Sequence, residues 1–198
     1  ETVDRDRVKF WEVFGSFWWS VGCLGMAEHY RNGPDKTVER PGIARRSSEC
    51  QVDCVNLLIP GSVEIVAPGP GFSSIDMPSV DELVTSVRDF LRQDVMAETS
   101  GRSNFLARVA SNSLDIVLRE LKYGPEHQAR EYARLCRLLD SSEDVMALRW
   151  QLANGLRDGS LSLDNCALQE HLRHTVVNQI AIDQPKYSGL KRAVENDS

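Results

Sequence analysis

A chain of 198 residues with 41% hydrophobic and 26% charged side chains has the composition of a packed globular protein, not a disordered one. Its net charge of −6 excludes a general nucleic-acid binder, because phosphate binding requires a basic surface. Five cysteines, an odd number at spacings that form no pairing frame, read as reduced thiols in a cytoplasmic setting.

The first predicted element is one long helix from Asp4 to about Arg31, capped by Asp4 and stopped by Asn32-Gly33-Pro34. Val8, Trp11, Phe14, Trp18 and Val21 form one stripe, and Phe10, Phe17 and Leu24 another. A helix apolar on most sides must be central to something, and Trp11, Phe14, Trp18 and Trp19 are the candidate interface. Val13 to Ala27 carries no charge, yet its 15 residues fall short of the ~20 a spanning helix needs, so no membrane is expected. A second helix is predicted from Pro41 or Gly42 to Leu58, with Cys50 and Cys54 on its apolar face.

Residues 60–78, rich in Pro and Gly, read as a linker whose Val63–Val66 stretch can add a short strand or pack on a neighbour. The expected division is therefore 1–59, a linker at 60–78, and a helical bundle at 79–198. Five bundle helices are predicted. The first, about Val80–Met96, opens on a Ser79/Glu82 capping box. The next two are Ser103–Tyr123, halted by Gly124-Pro125, and Glu126–Leu139. The fourth holds Val145 to Leu156, the fifth runs from Asp164 through Ile180, and Ser188–Ser198 reads as a frayed tail. The fold class is all-α.

No complete catalytic site emerges. His171 and His174 lie one turn apart, but Glu170 stands outside the pair and the metalloprotease order is absent, so both read as solvent-facing and no metal is expected. Gly69-Pro70-Gly71 lacks the third glycine of a phosphate loop, and Pro70 lacks an N–H. Arg45-Arg46 reads as a solvated helix face, and nothing resembles a nucleophile elbow. Arg108, Asn112 and Arg119 share one helix face suited to a carboxylate or phosphate, or to a structural ion-pair layer. Asp183 and Tyr187 are further ligand or interaction candidates, as a turn cap and a pin for the tail.

Two stretches resemble known families. Val8–Leu58 is similar to the C-terminal end of bacterial aminoglycoside-phosphotransferase-like kinases, in the branch related to the kinase portion of the acyl-CoA dehydrogenase 10/11 type. Trp11, Glu12, Val13, Gly15, Trp18 or Trp19, Arg45, Arg46, Glu49 and Asp53 carry the match, while Ala44 and Arg40-Pro41-Gly42 depart from it. Phe105–Leu121 and Leu172–Tyr187 resemble an uncharacterised family found beside or fused to such kinases, over about residues 78–190.

The resemblance implies ATP-dependent phosphate transfer to a small-molecule hydroxyl, with hydroxyacyl-CoA substrates in the related branch. That chemistry needs a phosphate-binding Lys, a His-Gly-Asp…Asn loop and a magnesium-binding Asp. None of these motifs occurs here, so ATP and Mg are expected only in an upstream kinase portion and no cofactor in this chain. The expectation is the C-terminal piece of a two-part phosphotransferase, with an upstream kinase segment or kinase subunit as partner. The alternative is a stand-alone helical interaction module that forms a homo-oligomer. A third reading places an enzyme site around Arg108, Asn112 and Arg119.

Overall fold

The computed structural model describes residues 3–69 and 77–195, so the second half of the expected linker, with Pro70 and Gly71, and residues 196–198 lie outside it. Every regular element among the described residues is helical. No helix there is long and apolar enough to cross a membrane.

Helix α1 spans Arg5–Asn32. The Asp4 carboxylate caps it by accepting from the N–H groups of Asp6 and Arg7 at 3.1 and 3.2 Å. At the other end Gly33 donates to the His29 carbonyl at 2.8 Å. Only Ser20 and Cys23 on this helix are buried, because its small-residue side lies against α2 (Glu39–Ala44) and α3 (Ser47–Leu58).

One helix was expected where α2 and α3 stand, and the break at Arg45-Arg46 has one local and one distant cause. The Ser48 hydroxyl donates to the Arg45 carbonyl at 3.0 Å, and the Arg45 side chain is drawn to Asp183 at 2.6 Å. Ser and backbone thus compete for the same carbonyl, which favours a turn.

Residues 60–69 form no strand but a strap. Val63 and Val66 are buried, and the Val66 N–H donates to Asn178 Oδ1 at 2.7 Å. Asn178 Nδ2 donates back to the Glu64 carbonyl at 3.2 Å, so one amide side chain substitutes for a neighbouring strand.

After the Ser79/Glu82 capping box, α4 (Val80–Phe90) passes through a π-helical turn, Leu91–Val95, into α5 (Met96–Glu98). Helix α6 runs unbroken from Gly101 to Leu139, through the Gly124-Pro125 pair at which the sequence pattern predicts a stop. The proline ring faces solvent, and the Gly69 N–H donates to the Lys122 carbonyl, three residues before the proline, at 3.0 Å. The carbonyl that loses its helical donor to Pro125 is that of Leu121, so the strap adds a bond beside the defect and does not replace the missing one. Buried residues on both sides, Ile116 and Leu135 among them, hold the two halves in line.

Helices α7 (Val145–Asp158) and α8 (Cys166–Asp183) follow, capped by the side chains of Asp144 and Asn165. Ser188–Glu195 forms α9, where a frayed tail was expected, because Gly189 and Ala193 are buried against the rest.

Two apolar clusters make the core. Leu135, Leu148, Leu152 and Leu168 join α6, α7 and α8. Val52, Val55, Val63, Val177, Ile180 and Ala193 join α3, the strap, α8 and α9, so this cluster draws residues from both sides of positions 60–78. Gly189 sits where α9 meets α3. A Cβ there would lie 2.8 Å from Asp53 Oδ1 and from Tyr187 Cε1, and 2.9 Å from Val52 Cγ1. Gly189→Ala is therefore expected to destabilise the protein by about 1–3 kcal/mol, read as a lower urea midpoint at unchanged slope.

Candidate functional site

Three sites are built on this frame: an aromatic face, an ionic joint and a buried polar cluster. The face belongs to α1. Its apolar side chains recur nearly all round, while α2 and α3 cover one side only, so Phe10, Trp11, Phe14, Phe17, Trp18 and Trp19 remain exposed, Trp18 at 65%. Phe10, Trp11 and Phe14 pack on one another with ring centroids 5.3 to 6.2 Å apart, which orders the first half of the face. The four residues expected at an interface thus lie together on an uncovered surface.

The joint forms where α2, α6 and α8 converge. Asp183, 3% exposed, pairs with Arg45, which also reaches Glu120 at 3.0 Å. Arg119 donates through Nε to the Ile182 carbonyl and through Nη2 to that of Asp183 at 3.1 Å, closing the end of α8. Tyr187 donates its hydroxyl to Asp53 Oδ2 at 2.6 Å. Burial, with the Asp53 carboxylate beside it, pushes the Tyr187 pKa up, so the phenol stays protonated.

Arg119 and Asp183 are therefore neighbours, whereas Arg108 and Asn112 point to solvent further along α6. Arg108 meets only Asn104, at 3.4 Å, and Asn112 borders a groove with Ile43, Arg46 and Gln184. Arg45, read from sequence as part of a solvated face, is the cation of the joint. Nothing local marks it, because its partner Asp183 lies 138 positions away.

The polar cluster lies between α6, α7 and α8. Glu131, 2% exposed, accepts two hydrogen bonds from Arg149 at 2.8 and 2.7 Å. Burial opposes ionisation of Glu131, but the Arg149 hydrogen bonds and charge outweigh it and hold the carboxyl below its ordinary range. His127 precedes Glu131 by one turn, and His171 reaches in from α8. His171 was expected to face solvent. It is instead buried, because it lies three residues after Leu168 on the same inward stripe.

Burial, reinforced by Arg134, pushes the His171 pKa down to about 4, and burial likewise lowers that of His127. The Nδ1 atoms of both rings are buried without a hydrogen-bond partner among the described residues. Among the described residues no group of three or more His, Cys, Asp or Glu side chains is placed to hold a metal ion. The five cysteines are free thiols, and burial pushes Cys50 up to about 11, leaving it an inert core group.

Residues 97–187 match a domain of unknown function (DUF6285), a span that takes in α6, α7 and α8 and with them the polar cluster. No curated protein and no solved structure matches the chain.

Proposed function

We propose that this protein is a non-catalytic part of an ATP-dependent small-molecule phosphotransferase. In this reading α1–α3 are the last helices of a kinase-like lobe, and the rest of that lobe covers the aromatic face of α1. The helices that follow form an accessory unit that steadies the lobe. The carrying observation is the uncovered face itself: a contiguous surface of large aromatic side chains on a single helix is what an interface core looks like before its partner arrives. Trp11, Gly15, Trp18 and Trp19, which carry the resemblance to aminoglycoside-phosphotransferase-like kinases, lie on this helix. Arg45 and Asp53, which also carry it, fasten α2 and α3 to α8 and Tyr187.

ATP and Mg belong to the catalytic portion of such an enzyme. Its substrate is a small hydroxyl compound, of which a hydroxyacyl-CoA is one candidate, and its setting is a bacterial cytoplasm.

The chain alone is expected to transfer no phosphate from labelled ATP to any hydroxyl acceptor, and transfer by the purified chain would refute this reading. Mixed with the catalytic lobe of such a kinase from the same organism, it is expected to form a one-to-one complex with blue-shifted Trp fluorescence. A Trp11→Glu/Trp18→Glu double substitution should weaken that complex by about a hundredfold or more while leaving the far-ultraviolet circular dichroism unchanged. Because α1 is apolar nearly all round, a second copy of the chain is the other occupant to weigh. A concentration-dependent dimer by light scattering, lost on the same double substitution, would favour a stand-alone oligomerisation module instead.

A further inference from the structure

We propose that the cavity between α6, α8, α9 and the strap is a binding site for a small carboxylate with an aliphatic tail. The cavity measures about 280 Å³, near the lower end of the ~300–1,000 Å³ typical of ligand pockets. Its wall is mostly apolar, built from Ile65, Val66, Ala181, Ile182, Leu190 and Val194. Three polar side chains, Arg119, Tyr123 and His127, stand at successive four-residue steps along α6 and so share one face of that helix.

The hydrogen-bonding character of these groups selects the ligand. Asn178 also lines the cavity, but its carbonyl oxygen is taken by the Val66 N–H and its amide by the Glu64 and His174 carbonyls. Arg119 offers donors only, and no carboxylate among the described residues lies within ion-pair distance of it. Its direct hydrogen bonds go to the two carbonyls at the end of α8, with the Asp115 and Asp183 carboxylates acting only from a distance. His127, 5% exposed, also lines the cavity. Burial disfavours the charged form of this ring, so it adds no second positive charge to the wall. Tyr123 stands between Arg119 and His127 along α6. A cation and a phenol on an otherwise apolar wall fit an acceptor-only anionic head with a hydrocarbon tail.

The test is titration calorimetry of the full chain with hexanoate, hexanol and hexylamine at neutral pH. Hexanoate is expected to bind saturably, with hexanol at least about tenfold weaker, the worth of a charge-assisted hydrogen bond. Hexylamine is expected not to bind. Arg119→Gln should weaken hexanoate by about tenfold or more, and Ala181→Phe, which fills the cavity, should abolish binding. Should either variant fail to fold, the wild-type protein still decides through tail length: butyrate weaker than hexanoate, and dodecanoate excluded. Equal binding of hexanol and hexanoate, no saturable binding, or affinity indifferent to tail length each overturns the proposal. All three outcomes leave the reading of the α1 face untouched.

Discussion

Replacing Arg173 by methionine is expected to remove about 4 kcal/mol or more of stability, a large share of the ~5–15 kcal/mol available to a domain. Arg173 sits on α8 at 2% exposure with no carboxylate beside it. Its guanidinium donates to the carbonyls of Gly61 at 2.6 Å and of Ile59 and Ala193 at 3.0 Å. It also reaches the Val55 carbonyl at 3.4 Å and Asn56 Oδ1 at 3.3 Å. One side chain thus closes the end of α3, the start of the strap and the C-terminal part of α9.

Methionine fills a similar volume but leaves those buried acceptors without donors, at about 1–3 kcal/mol for each that water cannot reach. Lysine keeps the charge, yet a single ammonium cannot span the positions served by a planar fork, so Arg173→Lys should recover little. Urea denaturation gives the result directly, and an unchanged midpoint for Arg173→Met would refute this account. Hydrogen exchange should show α9 and the strap losing protection first.

Acidification is expected to destabilise the protein well above the pH at which its carboxylates titrate. The ordinary histidine value is near 6.5, while burial holds folded His171 at about 4. Between these limits the unfolded chain takes up a proton that the folded chain refuses, so stability is full above about pH 6.5 and declines toward about pH 4. The slope is about 1.4 kcal/mol per pH unit for each such group, or roughly 3 kcal/mol over the window for His171 alone.

The groups facing His171 reinforce this direction. Arg134 and Arg149 oppose a charge on the ring, and only Glu131, already committed to Arg149, favours one. His127 adds a decline of the same sign. Glu131, held below its ordinary range, contributes stability that is lost at lower pH still. Urea midpoints at about pH 7 and about pH 5 should therefore differ markedly in the wild-type protein and less in His171→Gln. An identical loss in both would show that the imidazole is not responsible.

Much of the architecture is legible where the determinant is local. Asp4 before the first apolar stripe, Gly33 after it, and the Ser79/Glu82 pair mark helix ends because caps act within three residues. The all-α class follows from the 3.6-residue repeat in α4, α6, α7 and α8. What is not legible depends on partners far along the chain.

Gly124-Pro125 reads as a stop because the pattern does not show the buried residues on both sides, Ile116 and Leu135 among them, that hold the helix in line. Arg173 resembles any other surface arginine, since its acceptors are mostly backbone carbonyls more than a hundred positions earlier. Arg45 and Asp183 are individually ordinary and become a joint only when α2 meets α8. His171 is the instructive case. Its three-residue spacing from Leu168 on the inward face of α8 places it inside, while the His171-x-x-His174 spacing alone is equally compatible with an exposed pair.

The strap carries a further consequence. Val52, Val55 and Val63 are buried with Val177, Ile180 and Ala193, and Arg173 and Asn178 bind backbone on the far side of residues 70–76. Cohesion between the leading and trailing portions thus resides in the core and not in the peptide bonds that join them. A gene interrupted at that junction would encode two polypeptides able to find one another, and a fusion of two such genes would lock together an assembly already specified by packing.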